Sequence, residues 1–118
     1  MSVPEMKEWS DGTKEWLLNG NRHRTDGPAI ERSNGTKEWW VNGILHRTGG
    51  PAIEASDGSK EWRLNGEYHR TDGPAIEWPD GTKVWYLNDK KVTWFEVYCY
   101  NLRTGDIQTA ERILAMPK

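Results

Sequence analysis

One feature constrains the fold of this chain more than any other: a segment of 23 residues that recurs along most of it. The units begin with Asp-Gly or Asn-Gly, at Asp11, Asn34, Asp57 and Asp80. Their second halves begin with His-Arg, at His23, His46 and His69. The fourth unit is truncated, and residues 5–10 look like the end of a preceding unit, with Trp9 where Trp78 stands later. A fixed period of this length is typical of repeat proteins, in which each unit stacks on the next.

Each unit carries two turn signals, the Asp-Gly or Asn-Gly at its start and a second Asn-Gly later on. Such dipeptides between β-forming residues favour type I′ turns, in which both central residues have a positive φ. A type I′ turn at Asn34-Gly35 places Ile30 opposite Trp39, so the repeated Trp and Ile side chains would share one face. The stretch after the second Asn-Gly indicates a longer loop or a short extra strand. The pattern therefore predicts a mainly β fold, an elongated antiparallel sheet of stacked hairpins.

The composition is that of a thin, aromatic-rich sheet rather than of a disordered chain. Only 35% of the 118 residues are hydrophobic, yet 8 are Trp and 4 are Tyr, and disordered chains are poor in aromatic residues. The formal net charge of −2 argues against a nucleic-acid-binding protein, which usually carries a basic excess. A single cysteine, Cys99, and the lack of a long apolar segment lead us to expect a cytoplasmic protein that does not enter membranes.

These residues resemble the MORN (membrane occupation and recognition nexus) repeat, which has the same length. The shared features are a strand with a Trp, an Asn-Gly turn, a downstream His and a closing Asp-Gly, here within Glu-Trp-x-x-Asn-Gly-x-x-His-Arg-Thr-Asp-Gly-Pro-Ala-Ile-Glu. Arg24, Arg47 and Arg70 stand where that family usually has Gly. This divergent form is similar to one in small bacteriophage and large-virus proteins. The resemblance covers residues 5–92 and implies a β-hairpin array that serves as a scaffold, a dimerisation surface or a lipid-binding surface.

After Leu87 the period ends, and the remaining residues predict two helices. Thr93 and Glu96 form a capping-box pattern, so a helix is expected over Trp94–Arg103, ended by Gly105. Its apolar face comprises Trp94, Val97, Tyr98 and Leu102. A second helix is expected over Ile107–Ala115. The chain thus divides into a repeat array, residues 1–92, and a helical cap, residues 93–118, although the aromatic helix is also a candidate for a partner or dimer contact.

The repeated His-Arg pairs are candidates for a ligand or metal site. They are His23, Arg24, His46, Arg47, His69 and Arg70. Equivalent residues of stacked hairpins lie roughly 9–10 Å apart, too far for several imidazoles to share one ion. The arginines beside Trp rings would suit a nucleotide or another phosphorylated ligand, but a structural ladder of Arg with Asp or Glu explains their repetition better. We expect no catalytic residue, metal or cofactor, and we interpret Cys99 as inert.

Positions that break the repeat are the better candidates for function. Leu17, Trp40, Arg63 and Tyr86 occupy the same position in successive units and differ in type. Trp, Tyr and Arg are the residue types enriched in binding hot spots. The residues predicted to contact a protein partner are Trp40, Ile44, Leu45, Arg63, Tyr68, Tyr86, Trp94 and Tyr98.

The sequence as a whole predicts a non-enzymatic protein-binding module. The divergent repeat implies a phage protein that binds a host defence protein and inhibits or recruits it. Two alternatives are a protein that sequesters a nucleotide or phosphorylated ligand and a scaffold on a lipid surface. An open sheet edge also allows a homodimer.

Overall fold

The computed structural model describes residues 3–118, in which short strands are followed by two helices. The strands are β1 (Glu5–Glu8), β2 (Lys14–Leu18), β3 (Asn21–Arg22), β4 (Ile30–Glu31), β5 (Lys37–Glu38), β6 (Trp40–Val41), β7 (Ile44–Leu45), β8 (Ile53–Glu54), β9 (Lys60–Glu61), β10 (Arg63–Leu64), β11 (Glu67–Tyr68), β12 (Ile76–Glu77), β13 (Lys83–Leu87) and β14 (Lys90–Val92). The helices are α1 (Trp94–Thr104) and α2 (Ile107–Ala115). The molecule is elongated, with extents of 46 × 35 × 21 Å.

The strands form one long antiparallel sheet with hairpins beside it. The order in the sheet is β1-β2-β4-β5-β8-β9-β12-β13-β14, and β3 pairs with β2. Strands β6 and β7 form a separate hairpin, as do β10 and β11. The predicted mainly β, antiparallel hairpin array with helices at its C-terminal end is therefore confirmed. The stretch after the second Asn-Gly contributes a short extra strand to each unit.

The two turn signals form two different turns. At the start of the second unit, the N–H of Arg32 donates to the carbonyl of Thr36 at 2.8 Å, and the N–H of Gly35 donates back to Arg32 at 2.9 Å. This closes a three-residue loop in which Gly35, with a φ of 94°, takes the left-handed conformation. The second Asn-Gly forms the two-residue turn, because Asn42 and Gly43 both have a positive φ, 50° and 77°.

The extra loop residue changes the register by one, so the predicted pairing of Ile30 with Trp39 is wrong. Ile30 pairs with Glu38 instead. Because side chains alternate along a strand, this shift moves the isoleucines to the face opposite the tryptophans. The isoleucine face carries Glu15, Ile30, Glu38, Ile53, Glu61 and Ile76. The tryptophan face carries Trp16, Leu18, Trp39, Val41, Trp62, Leu64, Trp85 and Leu87.

The apolar core lies where the helices meet the fourth unit. Val97 of α1 and Ile113 of α2 are fully buried against Trp85 on the tryptophan face. Partly buried apolar side chains surround this cluster, namely Leu87, Val92, Trp94, Tyr98 and Met116. Since β13 lacks a following His-Arg segment, the helices cover Trp85 where an arginine covers the Trp of each earlier unit.

Both predicted caps of α1 are present. Thr93 accepts from the N–H of Glu96 and the Glu96 side chain accepts in return, which forms the capping box, and Gly105 ends the helix with a φ of 87°. The buried polar residue on α1 is Asn101, whereas Leu102, on the predicted apolar face, is 41% exposed. The Asn101 amide donates to the carbonyls of Thr71, at 2.7 Å, and of Val97, at 2.9 Å. It thus ties the helix to the loop of the third unit.

Candidate binding surfaces

A stripe of half-buried aromatic and basic side chains runs along the isoleucine face. We define the stripe as Arg22, Trp40, Leu45, Arg63, Tyr68 and Tyr86. Strand pairing joins Trp40 to Leu45 and Arg63 to Tyr68, and directly paired residues lie on the same side of a sheet. Trp40 and Arg63 each lie two residues after a glutamate of the isoleucine face, so they point to the same side.

Neighbouring members of the stripe contact one another from unit to unit. The Arg22 guanidinium carbon lies 5.0 Å from the centre of the Trp40 ring, and that of Arg63 lies 3.7 Å from the Tyr68 ring. The rings of Tyr68 and Tyr86 stack with centres 4.9 Å apart. Large, flat and partly exposed rings held in this way have little side-chain freedom.

Carboxylates beneath the stripe fix its orientation. Glu38 is 9% exposed, and its carboxylate accepts from Arg32 Nε at 2.8 Å and from Trp40 Nε1 at 2.9 Å. Glu15 accepts from Arg22 Nε at 2.8 Å, and Glu61 accepts from Arg63 Nη2 at 3.1 Å. A charge-assisted bond is stronger than a neutral one, so these glutamates hold the arginine and tryptophan side chains in place.

Sequence reasoning missed these glutamates, although the signal was present. Glu15, Glu38 and Glu61 follow a lysine and precede a Trp in three successive units.

The surroundings of Tyr68 change the pKa of its hydroxyl group. Burial raises the pKa of the Tyr68 hydroxyl, and the nearby Glu61 carboxylate raises that pKa further. Tyr68 therefore remains a neutral hydrogen-bond donor over the physiological range.

The structure divides the residues predicted to bind a protein into two groups. Trp40, Leu45, Arg63, Tyr68 and Tyr86 come together in the stripe, and Arg22, which was not predicted, joins them. The others lie elsewhere: Ile44, Trp94 and Tyr98. Ile44 pairs with Val41 and so lies on the tryptophan face, where it is 47% exposed. Trp94 and Tyr98 pack around the buried cluster of the helices.

The stripe and the helices lie on opposite faces of the sheet. Tyr86 stands between Trp85 and Leu87 in β13, and both of these neighbours pack against the helical cluster. Because alternate residues of a strand point to opposite sides, Tyr86 points away from the helices. The C-terminal helices therefore leave the stripe uncovered.

The repeated arginines lie on the tryptophan face and stack on the Trp of their own unit. The guanidinium carbons of Arg24, Arg47 and Arg70 lie 3.8, 3.7 and 3.8 Å from the ring centres. Each Nη1 donates to the carbonyl of the proline four residues later, at 3.0 to 3.1 Å. It also donates to the carboxylate of the glutamate seven residues later, at 2.9 to 3.3 Å. This geometry is that of a structural ladder, with one rung in each complete unit.

The repeated histidines join each unit to the next. Nδ1 of His23, His46 and His69 accepts the N–H of the asparagine 19 residues later, each at 2.9 Å. These asparagines are Asn42, Asn65 and Asn88. Only an unprotonated Nδ1 accepts a hydrogen bond, so the proton of the neutral ring is on Nε2. Burial lowers the pKa of His69, which favours this neutral form, and the negative charge of Glu67 opposes the effect in part.

Two further observations concern the part of the chain that the structure describes. Within residues 3–118, no group of three or more His, Cys, Asp or Glu side chains lies close enough together to hold a metal ion. None of the helices in that range is long and apolar enough to cross a membrane. Comparison of the chain with protein-family models, with curated proteins and with solved structures gives no match.

Proposed function

We propose that this chain is a non-enzymatic protein-binding module whose contact surface is the stripe on the isoleucine face. One observation carries the proposal: the variable positions lie on one face and have neighbours there, because Trp40 pairs with Leu45 and Arg63 adjoins Tyr86 through Tyr68. A stacked repeat needs the same residues in every unit. Residues that differ between units and still form one surface are better explained by a partner than by the fold.

The physical character of the stripe supports this function. Each of its aromatic and arginine side chains is half-buried and held by a neighbouring ring or a carboxylate. Binding through such side chains loses little rotamer freedom, which for a mobile side chain costs roughly 0.5–1.5 kcal/mol. The charges of Arg22 and Arg63 are already compensated by Glu15 and Glu61. A partner with a largely apolar, aromatic-accepting surface suits this arrangement better than a strongly charged one.

We also propose a MORN-like array as its family and a host protein as its partner, following the resemblance of the repeat to those of phage proteins. The same resemblance keeps inhibition or recruitment of a host defence protein as the prediction for its biological role. The histidines have a structural role, since each Nδ1 is engaged in joining two units. The alternative proposal is a scaffold on a lipid surface.

The test compares proteins captured from a bacterial lysate by the wild-type chain and by variants. Trp40→Ala and Tyr86→Ala remove two large rings of the stripe. Trp78→Ala is the matched control, because Trp78 is 46% exposed on the same chain but lies outside the stripe. Phe95→Ala, on α1 and 55% exposed, tests the rival surface on the helix. Thermal melting establishes that each variant remains folded.

We expect one or more proteins to be captured by the wild type and both controls, and lost with the stripe variants. Truncating a hot-spot residue costs about 2 kcal/mol or more, which is roughly a 30-fold loss of affinity. Capture that is unchanged by Trp40→Ala and Tyr86→Ala refutes the stripe as the contact surface. Loss of capture with Phe95→Ala alone assigns the contact to α1 instead.

A further inference from the structure

The loop of the second unit departs from those of its neighbours at one residue that matters for charge. The first and third units have Asp26 and Asp72 after His-Arg-Thr, whereas the second has Gly49. In the first unit, the Asp26 carboxylate accepts from Arg24 Nε at 2.9 Å. In the third, the Asp72 carboxylate accepts from Arg70 Nε at 2.7 Å. The second unit has no equivalent carboxylate.

Arg47 is otherwise held as its counterparts are. Its guanidinium stacks on Trp39 at 3.7 Å, and its Nη1 donates to Pro51 at 3.0 Å and to Glu54 at 2.9 Å. A Cβ added at Gly50 would lie only 2.8 Å from the guanidinium carbon, so the loop backbone closes on the other side. Among residues 3–118, nothing accepts a hydrogen bond from Arg47 Nε. The guanidinium is thus fixed in position, and its Nε–H has no acceptor among these residues.

The loop also changes shape where the carboxylate is missing. Gly49 adopts a left-handed conformation with a φ of 85°, whereas Asp26 and Asp72 do not. Residues other than glycine rarely take that conformation, so the difference at Gly49 alters the loop backbone as well as removing a negative charge. The second unit therefore lacks the internal anion, and the Arg47 side chain is 28% exposed, against 21% for Arg24 and 17% for Arg70.

Arg47 lines a groove on the tryptophan face. The groove has a volume of about 550 Å³ and lies between this loop, the third unit and α2. Its walls include Trp62, His69 and Arg112. Arg112 reaches it from α2, where its Nη2 donates to Thr109 at 2.9 Å. The acidic residues in the walls are already engaged, Asp72 with Arg70 and Asp106 with Thr109.

We propose that Arg47 is an oxyanion-binding site, in which a carboxylate or phosphate oxygen of a ligand takes the place that the Asp carboxylates occupy in the flanking units. The neighbouring units show the geometry directly, because the equivalent guanidinium in the same stack donates from Nε to a carboxylate oxygen at 2.7 to 2.9 Å. Arg112 on the opposite wall favours a doubly charged phosphate over a carboxylate. This site lies on the opposite face from the stripe, and it holds or fails independently of the protein-binding proposal.

The test follows backbone amide signals by NMR as inorganic phosphate or acetate is added to the full chain at constant ionic strength. We expect saturable shifts at Gly49 and Gly50 and none at Gly27 and Gly73, with phosphate binding more tightly than acetate. Gly49→Asp restores the sequence of the flanking loops and requires this loop to leave the left-handed conformation of Gly49, which Asp26 and Asp72 do not adopt. Thermal melting establishes that the variant remains folded. The substitution should weaken phosphate binding about tenfold, because the phosphate then loses a charge-assisted hydrogen bond from Arg47.

A reciprocal variant tests whether the same anion site can be created in the first unit. Asp26→Gly removes the internal carboxylate from Arg24 and should create a new phosphate response at Gly27. Arg112→Ala should weaken phosphate binding more than acetate binding, so the preference for phosphate should decrease. The proposal is overturned if Gly49→Asp binds phosphate as the wild type does, or if the three loops of the wild type respond alike. The proposal is equally overturned if neither anion produces a saturable shift.

Discussion

Truncating one buried residue of α2 should release the helices from the array. Ile113 is fully buried against Trp85 and Val97. The change Ile113→Ala removes three buried carbon atoms, and at about 0.8 kcal/mol for each the transfer loss is about 2.4 kcal/mol. The remaining cavity adds to this, so we expect a loss of about 3–4 kcal/mol, within the usual range for such substitutions. That is a large share of the stability of a small domain.

Urea denaturation, followed by tryptophan fluorescence and by far-UV circular dichroism, measures this loss. The matched control is Leu114→Ala, because Leu114 is the adjacent residue on the same helix and is 53% exposed. A surface substitution of this kind changes stability by about 0.5 kcal/mol or less. We also expect the fluorescence of folded Ile113→Ala to shift to the red as Trp85 meets water. Equal stability of the two variants would refute the packing of α2 on the fourth unit.

Two further predictions concern the hydrogen bonds within and between units. Glu38→Ala leaves Arg32 Nε and Trp40 Nε1 without their acceptor in a partly buried site, so it should cost about 1–3 kcal/mol in urea denaturation; a stability equal to wild type contradicts this role. For His69, the folded-state pKa lies below the unfolded value, so its contribution to stability is complete above about pH 6.5 and decreases as the pH falls through the lower folded-state value. Melting temperatures measured between neutral and mildly acidic pH should fall less in His69→Gln, and an unchanged pH dependence contradicts the bond to Asn88.

The repeat, the strands and the helices could be predicted because their signals are local. The period is visible in the sequence, and a Gly, Asn or Asp stands at each described position where φ is positive. The ends of α1 could also be predicted, since the capping residues Thr93 and Gly105 lie next to the ends of the helix. Hydrogen bonds of this range depend on a few neighbouring side chains and not on the rest of the fold.

The register was predicted wrongly because Asp-Gly and Asn-Gly suit more than one hairpin turn. At Asn34-Gly35 the Asn side chain accepts the N–H of Thr36 at 2.9 Å, which stabilises a three-residue loop. The second turn has Asn at every first position, and Asn42 there adopts the left-handed conformation itself. Asp replaces Asn at most unit starts. That contrast between Asp and Asn was the signal that distinguishes the two turns. The error of one residue in the register placed the isoleucines on the wrong face of the sheet.

The stripe and the Arg47 site show most clearly which properties follow from the sequence alone and which require the tertiary structure. The 23-residue period by itself determined that this chain is an array of hairpins, because stacked units repeat their turns and buried residues. Only the tertiary structure decided which face the variable residues share and which face the helices cover, since both depend on register and on contacts between distant segments. The sequence alone also showed that Gly49 breaks the repeat. That the break leaves a fixed guanidinium donor open to a groove became apparent only with Trp39, Gly50 and α2 in place around it.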